Sequence, residues 1–266
     1  MSSALTSGSS HDADRVESAT MPHRLLEAAG VGGDFDIADA GLVTVPAGSG
    51  ESAFPRGVKA AVFDVVGTLV EPSPSVAAAY QQAARRQGVE VAIGELTSRF
   101  GSAWKRQEAV DAAARPPHAT SRDREWQRWQ GIVQDVFADL TDADTAGRIF
   151  EDLWQHFAQP TAWRATEHGS ALVAAALEAG LEVALASNFD ERLFDVAAEV
   201  EPLVQAGHVF PSSELGWRKP SPAFFRAVEE RLGFEPAELV MFGDNPDLDV
   251  AAAKRAGWHA VLLPAG

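Results

Sequence analysis

Cysteine is absent from the 266-residue sequence. Its absence removes disulfide bridges, thiolate zinc sites and cysteine nucleophiles together. Basic residues are scarce: 22 Lys and Arg stand against 38 Asp and Glu, a formal net charge of −16. Nucleic-acid backbones are bound through a basic face, so this balance counts against nucleic acid as a partner. No apolar run approaches the roughly 18 residues that suggest a membrane span, so no membrane partner is expected. The first 20 residues are rich in Ser and carry Asp12, Asp14 and Glu17. They lack the basic start and apolar centre of a secretory signal, and the acids count against a transit peptide. The expected location is the cytoplasm. The 7 histidines show no H-E-x-x-H spacing, which counts against a dedicated zinc site.

Hydrophobic residues make up 46% of the chain, enough to bury a full core in one or two domains. Residues 1–56, rich in Ser, Gly, Ala and Asp with one short helical candidate at 24–29, are expected to form a poorly ordered extension. Beyond Gly57 the pattern predicts strands at 59–64, 182–187, 208–210, 239–243 and 259–263. Helices are predicted between the last four, at 190–200, 221–231 and 248–256. This alternation implies an α/β fold, a Rossmann-like doubly wound parallel sheet. The core is assigned to 57–72 and 161–266, with an inserted all-helical cap domain at 73–160. Two stripes carry the insertion. One is Trp126, Trp129, Ile132, Val133, Val136, Phe137 and Leu140; the other is Ala146, Ile149, Phe150, Leu153, Trp154 and Phe157. Thr141 with Asp144 has the form of a capping box, and Pro160 marks the helix end.

Four separated segments put polar residues where a doubly wound sheet binds its ligand, beyond the strand ends. They are Asp64 with Thr68, Ser187-Asn188, Arg218-Lys219, and Asp244 to Asp249 with Asp247 between. These residue types suit phosphoryl transfer. Asp64 and Asp244 can hold a hard cation such as Mg²⁺, and the Val66 carbonyl can add an oxygen whatever its side chain. Asp249, ahead of Asp247, is the further acidic candidate. Thr68, Ser187 and Asn188 are candidates to bind the substrate's phosphoryl group, and Lys219 offsets the charge of nucleophile and phosphate. Asp64 can then attack phosphorus.

In this order the runs DVVGTL from Asp64, ASNFDERL from Ala186, GWRKPSPAFF from Gly216 and GDNPDLDVAAAKRAGW from Gly243 resemble the four motifs of the haloacid dehalogenase-like (HAD) hydrolases. The resemblance runs from about residue 58 to the end. Within the superfamily the chain is similar to the haloacid dehalogenase-like hydrolase domain-containing protein 3 group. The resemblance implies Asp64 as nucleophile, Ser187 as phosphate binder, Lys219 as charge-balancing lysine, and Asp244 with Asp249 as the acidic metal motif. It implies a Mg²⁺-dependent phosphatase that forms an aspartyl-phosphate on a small phosphorylated substrate.

HAD phosphatases usually carry a second aspartate where this chain has Val66, and valine cannot act as general acid or base. Three readings follow. The favoured one is a phosphatase with a good leaving group, or with an acid from elsewhere such as Glu71, Asp190 or a cap residue. The next is a non-catalytic relative that binds a phosphorylated ligand or a protein. The last is a dehalogenase, which the presence of Asp244 disfavours. The segment 115–122 is a candidate lid, with His118 or Arg122 meeting substrate, or a plain connector with Ser121 as a helix cap.

Overall fold

A computed structural model describes residues 54–263. Of the expected 1–56 extension, the helical candidate at 24–29 and all else before Phe54 lie outside the described residues. Phe54 packs edge-on against Phe242, with ring centres 5.8 Å apart.

Strands β1 (Ala60–Phe63), β4 (Glu182–Ser187), β5 (His208–Pro211), β6 (Leu239–Gly243) and β7 (His259–Leu262) form one sheet. Its order is β5-β4-β1-β6-β7, and every pairing is parallel. All five predicted strands form, with ends within one residue of expectation.

A parallel sheet is buried on both faces, and the side chains show it by alternating. Ala61, Phe63, Val183, Leu185, Val240 and Phe242 enter one core; Ala60, Val62, Ala184, Ala186, Leu239 and Met241 enter the other. Helices α5 (Gly169–Glu178) and α6 (Arg192–Glu199) cover the first face through Val173, Ala176, Leu193 and Val196. After the short α7 (Ser212–Leu215), helix α8 (Pro222–Leu232) covers the second face with α9 (Ala252–Arg255), through Phe224, Phe225, Val228, Ala252 and Ala253.

Between β1 and β4 the chain leaves and returns through a two-stranded antiparallel ribbon, β2 (Val70–Pro72) with β3 (Trp163–Ala165). The ribbon was not predicted, because three-residue strands show no period. Inside it stand four helices: α1 (Val76–Arg86), α2 (Ile93–Ala113), α3 (Arg122–Phe137) and α4 (Ala143–Ala158). They bury a cluster of their own in which Ile132, Val136, Phe137, Ile149, Phe150 and Leu153 meet Tyr80 and Phe100. Each such side chain contributes about 1.5–3 kcal/mol on full burial. Trp126 lies edge-on to Phe150 and Trp154, at 4.6 and 4.7 Å, and ties the two predicted stripes together.

Three local expectations are corrected. Asp142, not Thr141, caps α4, accepting from the Thr145 amide at 2.8 Å and from its hydroxyl at 3.2 Å. Aspartate is as good a cap acceptor as threonine or better, so the helix starts one residue later. Helix α5 was missed because its sequence is apolar on nearly every side and shows no periodic stripe. The single helix expected over 248–256 is a wide π-type turn, Pro246–Ala251, followed by α9. There Asn245 Oδ1 accepts from the amides of Asp247 and Leu248, at 3.0 and 2.9 Å. No helix among the described residues is long and apolar enough to cross a membrane.

Candidate active site

Because β1 pairs with both β4 and β6, the C-terminal ends of these strands lie side by side. Each delivers one buried polar residue: Asp64, Ser187 and Asp244. The π-type turn after β6 brings Asp249 back to them, where its Oδ2 accepts from the Asn245 amide at 3.0 Å. Carboxylate oxygens of Asp64, Asp244 and Asp249 lie within 4.8 Å of one another.

Two glycines make this convergence possible. Gly67 has φ +89, and a Cβ there would stand 2.6 Å from Asp244 Oδ2. A Cβ on Gly243 would stand 2.3 Å from the Asp249 carboxyl carbon. Any side chain at either position displaces a carboxylate.

Lys219, in the loop before α8, places its ammonium among these groups. It donates to Asp64 Oδ1 at 2.7 Å, to Asp249 Oδ1 at 2.6 Å and to the Ala186 carbonyl at 3.3 Å, which uses all three protons. The Asn188 side chain clasps the Lys219 peptide from both ends. Its Nδ2 donates to the Lys219 carbonyl at 3.0 Å, and its Oδ1 accepts from the Lys219 amide at 2.7 Å.

Three carboxylates against one ammonium leave two negative charges in excess. Burial, then the Asp64 and Asp249 charges, push the Asp244 carboxyl up to about 7. Burial also lifts Asp249 to about 6, aided by Asp64 and opposed by Lys219. For Lys219, burial works downward, but Asp249 and Asp64 outweigh it and hold the ammonium above its ordinary value. Asp244 Oδ2 is buried with no hydrogen-bond partner. An orphaned carboxylate oxygen in a buried cluster short of two positive charges fits a hard divalent cation. Asp64, Asp244 and Asp249 are the side chains placed to hold it. The Val66 carbonyl accepts no main-chain hydrogen bond among the described residues.

The structure sorts the other expected site residues. Ser187 is buried beside the cluster and lines the cavity above it; its hydroxyl makes no hydrogen bond among the described residues. The Thr68 hydroxyl donates to Asp244 Oδ1 and accepts from the Asp244 amide, both at 3.2 Å, so it positions that aspartate. Asp247 is exposed where the cavity meets the π-type turn. His118 and Arg122 do not line the cavity. Arg122 donates to Glu214 at 2.5 Å, and the His118 carbonyl accepts from the Arg218 amide at 2.9 Å. Ser121 caps α3 by accepting from the Arg124 amide at 3.2 Å. The 115–122 segment is therefore a connector stitched to the loop that carries Lys219.

Neither acid named for the role missing at Val66 is free. Asp190 is fully buried and gives both oxygens to Arg192, each at 2.7 Å. Glu71 pairs with Arg164 at 2.9 Å and stands outside the cavity lining. Val66 itself lines the cavity.

That cavity, about 370 Å³, has the acidic cluster and Ser187 on one side. The helical insertion forms the other side, including Phe100, Trp104, Trp129, Phe150 and Trp154. The sequence assigned Tyr80 no role, yet it lines the same wall. Its only signal was its place on the buried face of α1.

The family model "haloacid dehalogenase-like hydrolase" matches residues 58–257. The bovine (Bos taurus) haloacid dehalogenase-like hydrolase domain-containing protein 3 is 30% identical over 203 residues, 76% of this chain and 80% of that protein. A protein named phosphoserine phosphatase from Thermus thermophilus is 28% identical over 229 residues, 79% of this chain and 90% of that one. Among solved structures, a defluorinating L-2-haloacid dehalogenase superposes with a TM-score of 0.60 at 18% identity, covering 76% of this chain and 80% of its own; this likeness is one of fold alone. The chain belongs to the haloacid dehalogenase-like hydrolase family.

Proposed function

We propose that the protein hydrolyses a phosphate ester of a small molecule, with Mg²⁺ as cofactor and Asp64 as nucleophile. One observation carries the reading: Asp64 after β1 and Asp244 and Asp249 after β6 converge within 4.8 Å, with Lys219 paired to Asp64 and Asp249, two charges short of neutrality. Lys219 orients Asp64 by donating to its Oδ1 at 2.7 Å, and the unpartnered Ser187 hydroxyl is free to donate to a phosphoryl oxygen. Asp64, Asp244, Asp249 and the Val66 carbonyl are the groups to hold the ion, which when bound offsets the charge of the phosphoryl group and the nucleophile. Asp64 attacks phosphorus, the ester oxygen leaves, and water releases phosphate from the aspartyl-phosphate. The insertion serves as the cap that covers the substrate.

Val66 sets the limit on this chemistry. A missing general acid–base costs about 10²–10⁴-fold in rate, and Asp190 and Glu71 are already paired. That observation favours a second reading, a non-catalytic relative that binds a phosphorylated ligand or a protein. The name of one relative, phosphoserine phosphatase, points toward phosphatase, and the buried Asp244, whose Oδ2 has no hydrogen-bond partner, supports the same reading.

The test is a pair of variants assayed on aryl and alkyl phosphates with and without Mg²⁺. Asp64→Asn is expected to abolish turnover, and Val66→Asp to raise activity on poor leaving groups by about 10²-fold or more. Failure of both to change phosphate release, or metal-free halide release from 2-haloacids, would sink the proposal.

A further inference from the structure

The far wall of the cavity gives the substrate a character that the acidic side does not. We propose that the site acts on monophosphate esters of ring-bearing phenols; this rests on the phosphatase reading above.

The first observation is the chemistry of the wall. Rings of Phe100, Trp104 and Trp129 follow one another at 6.0 and 5.7 Å between centres, and Trp154 continues the lining. The charged groups among them are already matched. The Arg192 guanidinium lies 3.5 Å from the centre of the Trp154 ring, with both Asp190 oxygens and the Trp154 carbonyl as partners. Glu108 is paired with Arg128 and Arg218. A polyhydroxylated sugar would lose its water here and find few partners, whereas an aromatic ring buries apolar area against other rings. Tyr80 adds one polar handle: it is 2% exposed and its hydroxyl has no hydrogen-bond partner among the described residues. Burial holds that hydroxyl in its protonated form, able to donate to a substituent of the ring.

The second observation, independent of the first, is the missing proton donor. Val66 stands where an acid is needed, and the neighbouring Asp190 is bound at both oxygens. A leaving oxygen that can depart unprotonated is therefore favoured. A phenol ionises near pH 10, whereas an aliphatic alcohol, like water, is far less acidic. Only the former leaves readily without help.

The step balances without a further reactant. An Asp64 oxygen forms a bond to phosphorus as the phosphorus–aryloxygen bond breaks. The electron pair leaves on the phenolate, which takes a proton from solvent. Water then attacks phosphorus, the bond to Asp64 breaks with its electrons returning to the carboxylate, and the water proton passes to solvent. The products are the phenol and inorganic phosphate.

Three substrates separate this proposal from the reading beneath it. The full chain with Mg²⁺ is assayed on 2-naphthyl phosphate, on benzyl phosphate (a ring with an alkyl leaving group) and on acetyl phosphate (a good leaving group without a ring). We expect kcat/KM for the naphthyl ester to exceed each of the others by about tenfold or more. Calorimetry on Asp64→Asn, which needs no turnover, should show 2-naphthyl phosphate binding about tenfold or more tighter than methyl phosphate. Trp104→Ala and Trp129→Ala should each remove most of that preference. Acetyl phosphate turned over as well as the naphthyl ester, or equal binding of naphthyl and methyl esters, overturns the substrate class and leaves the phosphatase standing. No turnover of any of the three overturns the phosphatase, and this proposal with it.

Discussion

Arg218 and Lys219 are neighbours in the chain, each 2% exposed, and they serve two buried charge clusters of opposite balance. Arg218 turns toward the insertion. Its Nη1 donates to both Glu125 oxygens, at 2.7 and 2.9 Å, and its Nη2 lies 3.7 Å from Glu108. Arg128 continues the network to Glu108 and to Asp111, the latter at 2.8 Å, and Arg124 reaches Asp111 at 3.4 Å. Three guanidinium groups meet three carboxylates. Burial works to raise both Glu125 and Asp111, but the arginines outweigh it and both pKa values fall. Around Lys219 the same burial wins, and Asp244 and Asp249 rise. A charge-balanced network holds two parts of a fold together; a buried acidic one is short of a cation. The difference assigns the first to structure and the second to chemistry.

The largest effect should come from breaking the neutral cluster. Glu125→Leu strands Arg218 in the interior and should cost about 3–5 kcal/mol in urea unfolding. A loss within the range of an exposed pair would show that the cluster is not a latch. Gly67→Ala forces an unfavourable φ and a clash with Asp244, so we expect a loss of about 1–3 kcal/mol together with weaker Mg²⁺ binding. Stability lost without any change in Mg²⁺ affinity would detach Gly67 from the site.

Asp244→Asn should act in the opposite direction to Glu125→Leu. Removing one charge from an overcrowded acidic cluster should raise the stability of metal-free protein by about 1 kcal/mol. A destabilised variant would mean that the cluster is already compensated. The smallest effect is on pH. Glu125 and Asp111 have depressed pKa values in the folded state, so their contribution is present above the ordinary carboxylate range and disappears as pH falls through the folded values. Urea unfolding between pH 7 and pH 3 should therefore show a loss in wild type that is smaller in Glu125→Gln. Parallel curves for the two would contradict it.

Much of this was legible because strand-end chemistry is local. Asp64, Ser187 and Asp244 each follow a run of apolar residues, and a doubly wound sheet brings such ends together without further information. The roles of Thr68 and Asn188 were not legible, since a hydroxyl or amide at a strand end reads the same whether it meets substrate or a neighbouring loop. The Arg218–Glu125 pair was hidden by a separation of 93 residues, and only the docking of α3 beside the Lys219 loop brings it together. The charges of Asp190 and Glu71 were visible, but not that Arg192 and Arg164 had claimed them. Three-residue strands and an all-apolar helix left no period to read.

The most direct measurement is the thermal stability of the wild-type chain and of Asp244→Asn as Mg²⁺ is titrated. A cluster built for a divalent ion should stabilise wild type by about 2.7 kcal/mol when Mg²⁺ is a hundredfold above its Kd, with little or no gain in the variant. A wild type whose melting temperature ignores Mg²⁺, or a variant that responds equally, would contradict the account.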